Sequence, residues 1–242
     1  MTTSISETSP STRGRILAWL YLSVIVCGII AQAVIADGLV VPNDAGKTAA
    51  NILANKSLYR LAYTIFMVEM VAQVVASAMF YDLLKPVNRS LARISAIIGI
   101  TGAGIKTFAR LFYYAPLILL SGAPYLSAIE PTQLATLSLA FIKINNQGAA
   151  IALIFFGFET LLRGWLIYRS EFLPRFLGVL SMVGGLGWLT YLWPPLGSQA
   201  FMGVALFAIV GVIATSGWLF IRGVDDARWR ERAALAATSI WR

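Results

Sequence analysis

Six long apolar stretches run through the chain and restrict what it can fold into. A helix needs about 20 mostly apolar residues to cross the roughly 30 Å hydrocarbon core of a bilayer. Only 12% of the residues are charged and 58% are hydrophobic, whereas about a quarter of a soluble domain is charged. The sequence therefore predicts an all-α fold, a polytopic bundle of six transmembrane helices. The stretches cover residues 15–36, 58–84, 91–115, 147–168, 176–193 and 199–221.

The lysines and arginines predict how these spans are oriented. Six spans place both termini on one side of the membrane, and cytoplasmic span ends carry the excess of basic residues. Twelve basic residues lie at the ends on the side of the termini and four lie at the opposite ends. The first set is Arg13, Arg15, Lys85, Arg89, Arg93, Arg169, Arg175, Arg222, Arg228, Arg230, Arg232 and Arg242, and the second is Lys47, Lys56, Arg60 and Lys143. Both termini of this multi-pass protein are therefore predicted to be cytoplasmic.

This orientation divides the chain into a cytoplasmic tail at 1–14, a transmembrane domain at 15–223 and a basic tail at 224–242. The net charge of +8 does not indicate nucleic-acid binding, because membrane topology accounts for twelve of the nineteen basic residues. The basic tail interleaves arginines with Trp229 and Trp241, which favours a helix on the membrane surface. A docking site for another membrane protein is the alternative.

Missing residue types exclude several kinds of chemistry. The chain has no histidine and one cysteine, Cys27. Histidine bases, imidazole ligation, thiolate clusters and an intrachain disulfide are therefore excluded. Two carboxylates inside the spans could transfer protons, but no nucleophile motif accompanies them. The sequence predicts no catalytic residue, no cofactor and no metal site, and an enzyme is the least supported class.

Two regions outside the spans have their own patterns. Asn43 and Asp44 are suited to cap a short interfacial helix that follows them. Residues 117–146 are apolar but interrupted by prolines, so they either extend two spans into an outer hairpin or re-enter the bilayer. The hairpin is favoured, because Gln133 and Lys143 suit water better than lipid.

Charged residues inside the spans indicate an internal site. A charge at mid-bilayer costs about 2.5 to 3.5 kcal/mol, so such groups must pair or face protein. Counting residues along each helix places Glu69, Lys106 and Glu159 at compatible depths, and Arg163 follows Glu159 by one turn. Arg110 is expected to reach the outer headgroups.

The faces of the helices agree with these depths. Glu69, Gln73 and Ser77 form one polar stripe on span 2, and Asn145, Glu159 and Arg163 lie on one stripe of span 4. Hydrocarbon cannot satisfy such stripes, so they face protein or a cavity between spans 2, 3 and 4. The predicted ligand or ion site consists of Glu69, Gln73, Lys106, Asn145, Asn146, Glu159 and Arg163.

Two hypotheses follow for this site. In the first, the protein binds or passes a small polar solute or a proton, with Glu69 and Glu159 as the ionisable centre. In the second, the charges are structural ion pairs of an accessory or assembly subunit, whose outer hairpin or basic tail contacts other membrane proteins.

Glycines in the spans predict close helix packing. A spacing that resembles a phosphate-binding loop ends at Gly104, but Ile105 separates the last glycine from Lys106 and no strand precedes it. Packing positions are therefore expected at Gly99, Gly102, Gly104, Gly184, Gly185, Gly187, Gly203, Gly211 and Gly217.

Three segments resemble a known family. TAANILA at 48–54, KPVNR at 85–89 and LIYRSEFLPRFLGVL at 166–180 occur in the order and spacing typical of the bacterial family called domain of unknown function 4386. The resemblance extends from Ile16 to about Gly223. It implies a compact multi-span protein of the inner membrane and no assigned activity.

Overall fold

A computed structural model describes residues 9–239 of the chain, with the side chains of 237–239 left aside. This part of the chain is α-helical and contains no β-strand. Six of its helices are long and apolar enough to cross a membrane, which confirms the predicted all-α bundle of six spans. The helices are α1 (Pro10–Leu39), α2 (Ala45–Ala54), α3 (Lys56–Leu84), α4 (Arg89–Leu119), α5 (Pro131–Arg169), α6 (Arg175–Leu192), α7 (Pro194–Ile221) and α8 (Asp226–Ser239).

The first span is longer and less regular than predicted. It begins at Pro10, inside the predicted tail, and the Ser9 hydroxyl accepts a hydrogen bond from the Thr12 amide at 3.2 Å. Proline suits the first helical position, where its missing N–H has no partner to lose. Near its other end α1 adopts π-helical geometry over Ile29–Ala36, which widens the helix there.

The cap predicted for the short interfacial helix is present. The Asp44 side chain accepts a hydrogen bond from the Lys47 amide at 2.8 Å and so satisfies a donor of the first turn of α2. Asn43, which precedes it, adopts a left-handed conformation with φ 68°.

The structure joins α4 and α5 in a helical hairpin, and the placement of residues 117–146 outside the bilayer stays a prediction. The helix α5 runs without a break over 39 residues and begins 16 residues before the predicted start of the fourth span at residue 147. The polar residues before position 147 make contact with lipid unfavourable there, but they do not prevent those residues from forming a helix. Helix α4 ends at Leu119, and a short 3₁₀ turn at Pro124–Leu126 joins the two.

The described residues fall into two compact units, and α1, α3, α4 and α5 each contribute to both. The first unit contains the described residues up to Ser23, then Ala72–Gly102, then the described residues from Leu153 onward. The second contains Val24–Val71 and Ala103–Ala152. Each unit has its own apolar core, built around Leu17, Phe80, Leu166, Leu177 and Leu219 in the first and Ile35, Ile52, Tyr59, Phe66 and Tyr113 in the second.

Backbone contact between α5 and α6 holds the first unit together. A Cβ added at Gly178 would lie 2.6 Å from the Gly164 carbonyl oxygen, and one added at Gly185 would lie 2.8 Å from the Gly157 carbonyl oxygen. Each helix contributes two glycines seven residues apart, which places both on one face. We call these four residues the glycine seam. The expected packing is wrong at Gly104, Gly203 and Gly217, which have open space where a Cβ would lie.

The basic tail forms a helix, α8, that packs on the first unit. The Trp229 indole N–H donates to the Leu83 carbonyl at 2.9 Å, and the Asp226 carboxylate accepts from the Ser11 amide at 2.7 Å. The tryptophan predicted to contact lipid is therefore half-buried against protein. Trp241 and Arg242, like residues 1–8, lie outside the described residues.

Candidate functional site

The buried carboxylate of Glu159 organises a polar cluster in the first unit. It is 2% exposed. Its Oε1 accepts a hydrogen bond from the Ser77 hydroxyl at 2.7 Å, and its Oε2 accepts from Gln73 Nε2 at 3.3 Å. Both donors belong to the polar stripe of α3. The Ser95 hydroxyl of α4 donates to the backbone carbonyl of Glu159 at 3.1 Å, so three helices meet at this residue.

Arg163 neutralises this carboxylate. Its Nη1 lies 3.5 Å from Glu159 Oε1, one turn along α5. Its Nη2 donates to the Tyr21 hydroxyl at 2.6 Å and to the Thr160 hydroxyl at 3.2 Å. The guanidinium carbon also lies 4.4 Å from the centre of the Phe80 ring. We call Glu159, Arg163, Gln73, Ser77 and Tyr21 the Glu159 cluster.

The Glu159 cluster is closely packed. The crevice beside the carboxylate is lined by Ser77, Phe80 and Ala92 among others and has no room for a water molecule. On the α4 side, a Cβ at Gly99 would overlap the carboxylate and lie 2.6 Å from its Oε2. Only glycine therefore fits at position 99.

Replacing Gly99 by alanine tests this packing. We expect Gly99→Ala to lower the free energy of unfolding by about 2 kcal/mol, because a buried carboxylate must move and lengthen its hydrogen bonds. The measurement is the thermal unfolding temperature in detergent. The matched control is Gly104→Ala on the same helix, where no atom lies within 4 Å of the added Cβ. Equal unfolding temperatures for the two variants would contradict the proposed packing.

A second polar cluster lies in the second unit, around Glu69. Lys106 Nζ donates to Glu69 Oε1 at 2.6 Å, and this is the pair that depth counting brings together. Glu69 is buried, whereas the Lys106 side chain is 16% exposed. Gly28 of α1 approaches the same carboxylate, since a Cβ there would lie 3.2 Å from Oε1. The π-helical stretch of α1 begins at the next residue.

The expected position of Arg110 is wrong. Arg110 is 1% exposed, so its side chain is enclosed by protein instead of extending outward. Its Nη1 donates to Asn145 Oδ1 at 3.0 Å, and its guanidinium carbon lies 3.5 Å from the centre of the Phe66 ring. Partners from α5 and α3 thus hold the arginine inside the protein. Arg110 follows Lys106 by one turn of α4, and this spacing is the sequence signal that could have indicated a buried Arg110.

Three buried polar atoms of the second unit have no hydrogen-bond partner among the described residues. They are Glu69 Oε2, Arg110 Nε and the Tyr113 hydroxyl. The ring of Tyr113 stacks on that of Tyr59, with centroids 4.3 Å apart. We call Glu69, Lys106, Arg110, Asn145 and Tyr113 the Arg110 cluster. Native proteins satisfy nearly all buried polar atoms, so three exceptions in one cluster call for an explanation.

The structure assigns partners to each predicted site residue. Glu69 contacts Lys106, and Glu159 contacts Gln73 and Arg163. Asn145 accepts from Arg110, which was not among the predicted residues, and donates to Asn146 Oδ1 at 2.9 Å. Asn146 itself is exposed. Within residues 9–239, no group of three or more acidic or cysteine side chains is placed to hold a metal ion.

Comparison with known proteins finds a family of unknown function and an uncharacterized archaeal relative. The model of a family described as "Domain of unknown function (DUF4386)" matches residues 16–223. An uncharacterized protein of Archaeoglobus fulgidus is 28% identical over 163 residues, which cover 66% of this chain and 81% of that protein. No solved structure matches the chain.

Proposed function

Because the chain belongs to the DUF4386 family, whose description assigns no activity, we propose from its geometry that it binds a small polar solute in the Arg110 cluster. The observation that carries the proposal is Glu69 Oε2, a buried carboxylate oxygen with no hydrogen-bond partner among residues 9–239. A solute with an O–H or N–H group would satisfy it. The side chain of Lys106, which pairs with the other oxygen, is 16% exposed, and the proposed entry for the solute lies beside it.

The geometry of α1 supports the same location. Single-turn π-helical segments are rare and occur frequently at functional sites. Here the π-helical stretch follows Gly28, the glycine that leaves space for the Glu69 carboxylate. A change in the winding of α1 would therefore alter the surroundings of Glu69 directly.

The Glu159 cluster fits a structural role. Its two charges cancel, the carboxylate accepts three side-chain hydrogen bonds and the crevice beside it excludes water. No atom of Glu159 or Arg163 is among the buried atoms without a partner. The proposal therefore assigns solute binding to the Arg110 cluster and a structural role to the Glu159 cluster.

The test is a thermal-shift titration of purified protein in detergent with glycolamide and glycolate. Both are small and carry a hydroxyl donor for Glu69 Oε2. A ligand that binds only the folded state raises its unfolding temperature. We expect at least one probe to raise that temperature, with at least tenfold weaker binding in Glu69→Gln. The matched control is Glu130→Gln, an exposed carboxylate just before α5.

Two results would contradict solute binding. One is the absence of any shift with either probe in the wild type. The other is an equal shift in the wild type and in Glu69→Gln. If a second protein also co-purified stoichiometrically in mild detergent, the accessory-subunit hypothesis would replace solute binding.

A further inference from the structure

The charges of the Arg110 cluster do not balance. It contains one carboxylate, Glu69, and two cationic side chains, Lys106 and Arg110, which lie close enough to interact electrostatically. The exposed carboxylate of Asp37 on α1 acts electrostatically on Tyr113 from outside the cluster and forms no ion pair within it. The carboxylate pairs with the lysine at 2.6 Å. Among residues 9–239, no acidic oxygen lies within ion-pairing distance of the arginine. A buried guanidinium without a counter-ion is strongly unfavourable, so a negative charge is expected beside it.

From this imbalance we infer that the Arg110 cluster binds a small monovalent oxyanion, with Arg110 as its counter-ion. The inference rests on the proposed function and adds the charge and chemical class of the solute. It also assigns a role to Arg110 and Tyr113, which are not among the predicted site residues.

The unpartnered donors have the chemistry that an oxyanion needs. Arg110 Nε carries an N–H group and the Tyr113 hydroxyl carries an O–H group, and neither has an acceptor among the described residues. The two residues are three positions apart on α4 and therefore lie on the same face. Two donors on one helix face, one of them charged, match the oxygens of a carboxylate or a similar anion.

The neighbours of Arg110 do not supply the missing charge. The Phe66 ring faces the guanidinium with its negative side, and the Asn145 amide oxygen accepts from Nη1. Both contacts favour a cation, but a ring quadrupole and an amide dipole carry no net charge. They orient the guanidinium and leave its Nε–H edge for the anion.

The unpartnered oxygen of Glu69 adds a further condition. A second anion beside this carboxylate is favourable only if it brings a hydrogen-bond donor of its own. A monoanion that carries a hydroxyl group meets both requirements, since its carboxylate faces Arg110 and Tyr113 while its hydroxyl donates to Glu69. Glycolate is the smallest simple probe with these groups.

The experiment compares glycolate, acetate and glycolamide by thermal-shift and calorimetric titration of the detergent-solubilised protein. Glycolamide keeps the hydroxyl group and has no charge, and acetate keeps the charge and lacks the hydroxyl. We expect glycolate to bind at least tenfold more tightly than glycolamide, with acetate between them.

Variants of two residues on α4 test whether this helix causes the preference for the charged probe. Tyr113→Phe removes one hydroxyl and keeps the ring stack with Tyr59, so we expect about tenfold weaker glycolate binding at an almost unchanged unfolding temperature. Arg110→Lys keeps a cation but lacks the Nε–H donor, and we expect the preference for glycolate over glycolamide to fall to less than threefold. Tyr114→Phe, on the next position of the same helix, is the matched control and should bind like the wild type.

The possible failures are distinct. Equal binding of glycolate and glycolamide that depends on Glu69 would overturn the anion inference and leave polar-solute binding in place. Unchanged glycolate binding in Tyr113→Phe and Arg110→Lys would overturn the assignment to α4. Absence of binding for all three probes would contradict the proposed function itself.

Discussion

The variant Glu159→Ala is expected to lower the free energy of unfolding by about 3 to 5 kcal/mol, the usual cost of removing one partner from a buried ion pair. Arg163 would remain buried with no carboxylate beside it. Gln73 and Ser77 would also lose the oxygens to which they donate. The measurement is the unfolding temperature in detergent, followed by tryptophan fluorescence, with Glu130→Ala as an exposed control.

Two further variants separate charge from hydrogen bonding at this position. Glu159→Gln keeps an oxygen for Ser77 but removes the negative charge, so its destabilisation should be smaller than that of Glu159→Ala. The double variant Glu159→Ala, Arg163→Ala removes both charges and should be less destabilised than the sum of the single variants. An unfolding temperature of Glu159→Ala within the error of the control would show that the cluster does not stabilise the fold.

The second large effect is expected at the glycine seam. In Gly178→Ala the added Cβ would lie 2.6 Å from the Gly164 carbonyl oxygen and 2.6 Å from the Tyr168 amide nitrogen. These are backbone atoms of α5 and cannot move as the end of a side chain can. The two helices must separate, and we expect a loss of about 3 kcal/mol or more in the free energy of unfolding.

The control for this prediction is Gly203→Ala in α7, where no atom lies within 4 Å of the added Cβ. Its unfolding temperature should match the wild type or rise slightly, because alanine favours helix more than glycine does. A similar unfolding temperature for the two variants would contradict close backbone packing between α5 and α6.

The sequence predicts the spans well because hydropathy is summed over about 20 residues, so single exceptions matter little. It also brings Glu69 and Lys106 together, since both lie deep in their helices and a buried charge needs a partner. Hydropathy does not locate the start of α5, because this helix continues through the polar residues that precede position 147.

Arg110 shows where such reasoning stops. At the same position on α4 its long side chain could extend toward water or fold inward. The choice depends on Phe66 and Asn145, which belong to other helices and are far away in sequence. The seam is a similar case, because the seven-residue spacing of Gly157 and Gly164 is visible in the sequence but its match to Gly178 and Gly185 requires the helix pairing.

The length of α4 bears on the side from which the Arg110 cluster would be reached under the orientation predicted from the sequence. Arg110 lies 21 residues after the first residue of this 31-residue helix, a rise of about 32 Å. If the helix starts at one membrane surface, as the basic residues Lys85, Arg89 and Arg93 predict, that rise already equals the hydrocarbon thickness. An anion in the opposite aqueous compartment would then reach Arg110 without traversing the lipid. Such a site would sense the composition of that compartment in intact cells, with no need for permeation.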